Sequence, residues 1–464
     1  MLILVGFSSS LVAQSLPSGF ASSQVQAGYN TSVGIIFSPD GRQFFVWEKS
    51  GKVYVSTWNG TAYVRQNTPI LDISEEVGNW RDFGLLSICL DPDFAHNGLM
   101  YLYYAVDRHH LLYYGTPQYN KAADEYFNAS IGRITRYRIN TTGGTLAADY
   151  ASRLVLLGET RSTGVPLTHE SHAGGTLLFG RDGTLLVSTG DGATYEGVDV
   201  GSDPTTYFQK ALNDGILKPS ENVGSFRSQV VNSLCGKVLR IDPTNGDGIP
   251  SNPFYDAGNA RSARSRVWAM GFRNPYRMTM QPNTGSTNPA DGNPGRLLLS
   301  DVGWNTSEEF NVIDQPGLNC GWPLYEGMDK TVYYYGKNIA NQEEPGQPTF
   351  ESLCVQPTSP TIDPDKTKRR FTHARPALDW NQDAPIARVP SFQGSTPMAL
   401  TIGSGGAPAG QPFAGNCSIG GAFYTGTSFP AAYQNTYFFT DFGLNWIRNL
   451  ALHDDGDHVV HEVR

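Results

Sequence analysis

Hydrophobic and polar positions along this chain alternate far more often than they recur at helical spacing. The unit that repeats is a loop, a tight turn containing Asp-Gly or Asn-Gly, and then an alternating or aromatic-rich run. Such runs predict strands, and the glycine supplies the positive φ that a hairpin needs. Five copies are legible: residues 35–58 (IIFSPDGRQFFVWEKSGKVYVSTW), 88–106, 177–192, a run from Met280 that resumes at 295–304 after a Pro/Asn/Gly insertion, and 421–450. Each predicts two antiparallel strands, and repeated short sheets around an axis predict a β-propeller. A β-sandwich or two stacked all-β domains is the competing arrangement. No linker-like break in composition divides the chain, which favours a single propeller. Residues 205–220 (TTYFQKALNDGILKPS) contain the one helical segment, lying in an insertion, and residues 328–375, rich in Pro, Lys, Gln and Asp, read as a long excursion. No further turn-strand copy follows Arg448, so the last blade is expected to be unfinished.

Composition narrows the picture. Of 464 residues, 39% are hydrophobic, 12% aromatic and only 17% charged, which supports a large core and excludes disorder. The charges, 34 basic against 43 acidic, leave a net of −9 and argue against a nucleic-acid partner. No apolar run reaches the roughly 18 residues of a spanning helix, so no membrane span is expected. The opening MLILVGFSSSLVAQSLPSGF reads as the later part of a secretory leader, residues 1–16, cleaved near Val12-Ala13-Gln14. That predicts a secreted or periplasmic protein, with residues 17–464 forming the propeller domain. The five cysteines include no CxxC pair, so a zinc ribbon is not expected. Cys320 and Cys354 bracket the loop-rich insertion and are the best disulfide pair, whereas Cys89 reads as a buried thiol. Sequons at Asn30, Asn59, Asn128, Asn140, Asn305 and Asn416 matter only where the source glycosylates.

Loops that follow strands on one face of a propeller converge on its axis, and four such segments carry chemistry. His169-Glu170-Ser171-His172-Ala173-Gly174-Gly175 precedes the third strand pair, and a histidine there can accept a proton near neutral pH. Gly271-Phe272-Arg273-Asn274-Pro275 sets a cationic fork and an amide beside a rigid proline, suited to polarising a carbonyl or holding a planar anion. Ser300-Asp301-Val302-Gly303-Trp304 exposes carbonyl oxygens shortly before Glu308 and Glu309, the hard oxygens that calcium favours. Ser188-Thr189-Gly190-Asp191-Gly192 ends the third strand pair, with Asp191 either a ligand or a turn-stabilising residue. Each also has a purely structural reading: a loop histidine bonded to a carbonyl, or an arginine satisfying backbone oxygens.

Taken in order, GLLSICLDPDFAHNGLMYLYY, HAGGTLLFGRDGTLLVSTGDG, CGKVLRIDPTNGDGIPSNPF, WAMGFRNPYRM, SDVGWNTSEEFNVI and GLNCGWPLYEG resemble the glucose/sorbosone dehydrogenase family. These are soluble quinoproteins that use pyrroloquinoline quinone (PQQ) with calcium, and the similarity runs through most of the chain. The resemblance implies a six-bladed propeller with PQQ flat in a central cleft. It implies His172 as the general base that takes the proton of the anomeric hydroxyl while hydride passes to the quinone. It implies Arg273 as the group stabilising the developing negative oxygen, and Asn274, with Asp191 nearby, as cofactor contacts. The main-chain carbonyls of Gly303 and Trp304 match its calcium ligands, and that calcium would polarise the quinone. Asp82 in DFGLLS falls where the family faces the sugar. Two positions depart from the pattern: Ser171 stands where an Asp precedes the base, and Gly192 where a Gln touches the cofactor. Matches to the cations that hold the PQQ carboxylates are missing, with Arg388 and Arg448 the conjectural substitutes. The leading reading is therefore an exported PQQ- and calcium-dependent enzyme that oxidises an aldose to a lactone and passes electrons to an external acceptor, since no CxxCH haem motif and no nicotinamide fingerprint occurs. A non-catalytic extracellular propeller that binds a protein or glycan is the alternative, as in hedgehog-interacting relatives of the same fold. A calcium-requiring hydrolase is the third.

Overall fold

The computed structural model describes residues 16–141, 144–361, 370–453 and 459–464. The expected leader falls almost wholly outside the described residues. The rest is built from short, mostly antiparallel sheets, one for each hairpin copy in the sequence. The first sheet contains Ser32–Phe37, Gln43–Glu48, Lys52–Trp58 and Tyr63–Arg65. The second is led by Leu85–Leu90, Leu99–Ala105 and Ser130–Asn140, and the third by Thr176–Phe179, Leu185–Thr189, Lys237–Ile241 and Val267–Met270. Pro275–Met280, Leu297–Asp301, Ser307–Ile313 and Leu378–Asn381 begin the fourth sheet, which continues outward to Ala387–Gln393 and Thr396–Thr401. The fifth holds Ser418–Tyr424, Thr436–Asp441, Trp446–Leu452 and Val460–Val463. The turns use their glycines as the dipeptides require: φ is 67° at Gly41, 65° at Gly98 and 77° at Gly183.

This is an all-β propeller, but the described residues form five blade sheets where six were expected. Apolar side chains are buried between consecutive sheets in four clusters: first to second around Phe45 and Tyr104, and second to third around Tyr103 and Leu239. The third meets the fourth around Trp268 and Leu299, and the fourth meets the fifth around Phe310 and Phe439. Each fully buried aliphatic or Phe side chain contributes about 1.5–3 kcal/mol. Among the described residues no such cluster joins the fifth sheet to the first. On those two sheets Ile35, Phe37, Phe442 and Ile447 stay exposed. The ring is thus packed on four sides and open on one.

The insertions behave much as their composition suggested. A short helix, Phe208–Asn213, lies within 205–220, but it is not the one helical segment expected: Arg108–Tyr113 is another of six residues, started by the Asp107 carboxylate accepting the His110 amide. Among its described residues the 328–375 excursion carries the fragments Asp329–Lys330, Phe350–Leu353, Cys354–Val355 and Phe371–Thr372. Cys320 and Cys354, expected as a disulfide, are separate buried thiols, each packed into a different apolar cluster. Cys89 is a buried thiol on the inner strand of the second sheet, and burial pushes its pKa up. No helix among the described residues is long and apolar enough to cross a membrane.

Candidate active site

Two loop segments meet backbone against backbone at one end of the third sheet. A Cβ on Gly174 (φ 78°) would strike the Gly190 nitrogen, and a Cβ on Gly190 would strike the His172 carbonyl oxygen. This is the physical content of the HAGG and STGD motifs: small residues allow the contact. His172 itself is held at φ 57°, a left-handed conformation that costs a residue with a Cβ about 1–2 kcal/mol.

The close approach sets His172 against Asp191. Nδ1 of His172 lies 2.9 Å from Oδ1 of Asp191, whose other oxygen accepts the Trp322 indole N–H at 2.8 Å. The Ala193 amide also donates to Oδ1, and the Arg227 Nε donates to the Asp191 carbonyl at 3.0 Å. Burial pushes the Asp191 carboxyl upward, but His172 and Arg273 together hold it below its ordinary value. Asp191 is therefore an anion that can only accept, so the His172 proton sits on Nδ1 and Nε2 keeps its lone pair. Burial first, then the Arg273 charge, lower the pKa of His172, with Asp191 opposing. The imidazole stays neutral below the usual histidine range.

Arg273 joins the same group, since its carbonyl accepts the Asp191 amide at 2.8 Å. The guanidinium lies 5.5 Å from the Trp322 ring, and its Nη1 donates to the carbonyls of Val302 at 3.1 Å and Gly303 at 2.8 Å. Asp301 clamps this turn from below, accepting the amides of Arg273 and Asn274 at 2.9 and 2.7 Å. Burial raises the Asp301 carboxyl, and burial together with Asp301 raises that of Glu309. The Asn274 side-chain oxygen accepts the Gly174 amide at 3.1 Å and ties the two loops together. The 304–307 loop is held by one oxygen of the buried Glu326, which accepts the amides of Trp304, Asn305, Thr306 and Ser307 at 2.7–3.3 Å.

A cavity of about 740 Å³ opens beside this assembly, lined by Lys49, Arg81, Asp82, Ala173, Asn274 and Val302, with Val33 from the first sheet and Asp441 and Ile447 from the fifth. His172 and Arg273 are chain neighbours of wall residues and are 4% and 5% exposed. Asp82 is close enough to act electrostatically on both His172 and Lys49. Lys49 donates to the Arg81 carbonyl, and Arg81 pairs with Glu170 at 3.4 Å. Arg388 and Arg448 are elsewhere: the first pairs with Asp379 and Asp329, the second lies over Phe413 and Trp446. The residues that the sequence reading left without a role are Trp322, Glu326, Asp301 and Lys49. Trp322 and Glu326 stand inside GLNCGWPLYEG and Asp301 inside SDVGW, so the motifs marked them without stating what they do, and nothing near Lys49 signals a site.

Comparison with known proteins places this geometry in context. Residues 29–364 match the family Glucose / Sorbosone dehydrogenase. The chain belongs to that family. Among similar proteins, HIPL2 protein of Arabidopsis thaliana is 26% identical over 355 residues, 68% of this chain and 44% of the relative. The human Hedgehog-interacting protein is 28% identical over 271 residues, 56% of this chain and 31% of that protein. The aligned region thus spans less than half the length of either curated relative. A solved structure titled glucose dehydrogenase aligns over 95% of this chain and 88% of its own with a TM-score of 0.54 and 20% identity, a likeness of fold.

Two groups that the family resemblance implies can be tested against these residues. PQQ is flat and carries several carboxylates; the cavity has room for it, and Lys49, Arg81 and Arg273 are cations at or just behind its wall. The residues fit the quinone. Calcium fits less well: the Gly303 carbonyl accepts from the Arg273 guanidinium, a cation placed where the metal would sit. Among the described residues no group of three or more His, Cys, Asp or Glu side chains is placed to hold a metal ion.

Proposed function

We propose that this chain oxidises a sugar at its anomeric carbon to a lactone, with PQQ as the bound redox cofactor and an external molecule receiving the electrons. We further propose that it acts as an exported single-propeller domain. One observation supports the reading above the rest: Asp191 orients a neutral imidazole with its carboxylate and holds the Arg273 backbone with its amide, just behind the wall of a cavity that bears Asp82. His172 Nε2 takes the anomeric hydroxyl proton as the C1–H bond breaks with its electron pair. Asp191 fixes the tautomer and stabilises the imidazolium that forms. Arg273 offsets negative charge that develops on oxygen during the transfer. Asp82 accepts hydrogen bonds from sugar hydroxyls and orients the ring. When bound, PQQ supplies the two-electron acceptor for the hydride.

The test is reconstitution with PQQ, with and without calcium, followed by gel filtration and dye reduction with a panel of aldoses. Quinone absorbance should co-elute with the protein, and His172→Ala should keep the co-elution while lowering kcat about 10²–10⁴-fold. Activity that survives His172→Ala removes the assigned base. Failure of the quinone to co-elute favours the second reading, a non-catalytic extracellular propeller that binds a protein or glycan, which the similarity to Hedgehog-interacting protein supports.

A further inference from the structure

Calcium takes roughly six to eight oxygen ligands at about 2.3–2.6 Å, carboxylates prominent among them. The 302–304 loop does not offer that set. Its Val302 and Gly303 carbonyls accept from Nη1 of Arg273 at 3.1 and 2.8 Å. A metal ion bonded to either oxygen would lie within a few ångströms of that nitrogen, and like charges so close repel strongly inside a protein. The guanidinium cannot shed its proton to make room.

The surrounding carboxylates are committed elsewhere. Asp301 accepts the amides of Arg273 and Asn274. Glu308 accepts the amides of Gly303 and Ser418 at 3.1 and 2.8 Å and the Gln382 side chain at 2.7 Å. Both oxygens of Asp191 are engaged, by His172 and Trp322. One oxygen of Glu326 holds the amides of 304–307, and its other oxygen is buried without a partner. Of these oxygens only that last one and the Trp304 carbonyl stay open, too few to enclose a hard divalent ion. What the loop holds instead is a cation of the chain's own. Arg273 is 5% exposed, its guanidinium lies 5.5 Å from the Trp322 ring, and its backbone is pinned by Asp191 and Asp301. Its Nε and Nη2 bond no other described residue, which leaves two edges of the fork for an anion.

We infer that Arg273 has taken the place of the divalent ion, so that the 302–304 loop binds no calcium and the chain takes up its flat quinone with the guanidinium as the fixed cation. The second clause rests on the proposed quinone binding, and the first stands without it. Terbium, a luminescent probe with the ligand preferences of calcium, tests the first clause on the whole chain after treatment with EDTA. Excited through tryptophan, the wild type should give no terbium emission that calcium displaces. Arg273→Ala should gain it, because two carbonyls are freed beside Trp304. Quinone co-elution on gel filtration tests the second clause. It should agree within about twofold in EDTA and in calcium, and Arg273→Ala should lower it about tenfold in EDTA, with calcium restoring part of the loss. Both wild-type measurements decide whether or not Arg273→Ala folds. Wild-type emission that calcium displaces and Trp304→Phe abolishes overturns the inference, as does a quinone retained only with calcium. A folded Arg273→Ala that still refuses terbium overturns the exchange of arginine for metal. A wild type that refuses calcium and binds no quinone in either buffer upholds the first clause and overturns the quinone reading.

Discussion

Asp191 has both carboxylate oxygens engaged inside the protein, one by His172 and one by Trp322. Its contribution is therefore to the imidazole, whatever occupies the cavity. Asp191→Asn keeps the volume but offers an N–H where an acceptor is needed, and it removes the charge that opposes the fall in the His172 pKa. We expect kcat to fall about a hundredfold or more, and the acid limb of the pH–rate profile, already below the ordinary histidine value, to move lower still. A profile that stays in place would assign Asp191 to packing alone. The sequence brings forward residues whose chemistry is local. His172 and Arg273 stand out because a histidine or an arginine among glycines at a strand end has few other uses. With Ser171 where the family pattern has an Asp before the base, the neighbouring residue brings no carboxylate to orient the imidazole. Asp191 supplies an orienting carboxylate from nineteen positions away, a pairing that depends on two loops touching and that no local pattern encodes. Glu326 was equally hidden: its work on the 304–307 amides is done across a turn of the chain that only the fold creates.

At the scale of elements, the hairpin copies were legible because each carries its own signature, an alternating run and a turn glycine. What they did not reveal is how each sheet is locked to its loops. In the third sheet the lock is ionic. Asp182, in the turn between Thr176–Phe179 and Leu185–Thr189, meets Arg240 on Lys237–Ile241 at 2.6 Å, with both side chains wholly buried. Arg240 also bonds Thr184, Ser251, Asn252 and the Pro289 carbonyl, so one guanidinium joins a turn, a strand and two loops. Removing the carboxylate strands the cation: Asp182→Ala should cost about 3–5 kcal/mol of unfolding free energy, measurable by chemical denaturation. A loss below about 1 kcal/mol would mean that water reaches the arginine and that the turn is not held this way.

For the molecule as a whole, the five copies foretold five sheets, and the sixth came from the family likeness alone. Sheet number follows from strands that are present, whereas closure depends on which faces find partners, and that is a property of the assembled ring. The open side has a colloidal consequence. Phe37 and Ile35 on one flank, and Phe442, Leu444 and Ile447 on the other, present oily surface to water on a particle of formal charge −9. Mutual repulsion keeps such particles apart only while it reaches beyond contact, and the Debye length shrinks from about 10 Å at 0.1 M salt to about 3 Å at 1 M. Light scattering should therefore report clustering that grows with ionic strength, the reverse of charge-driven association, and Leu444→Asp should push its onset to higher salt.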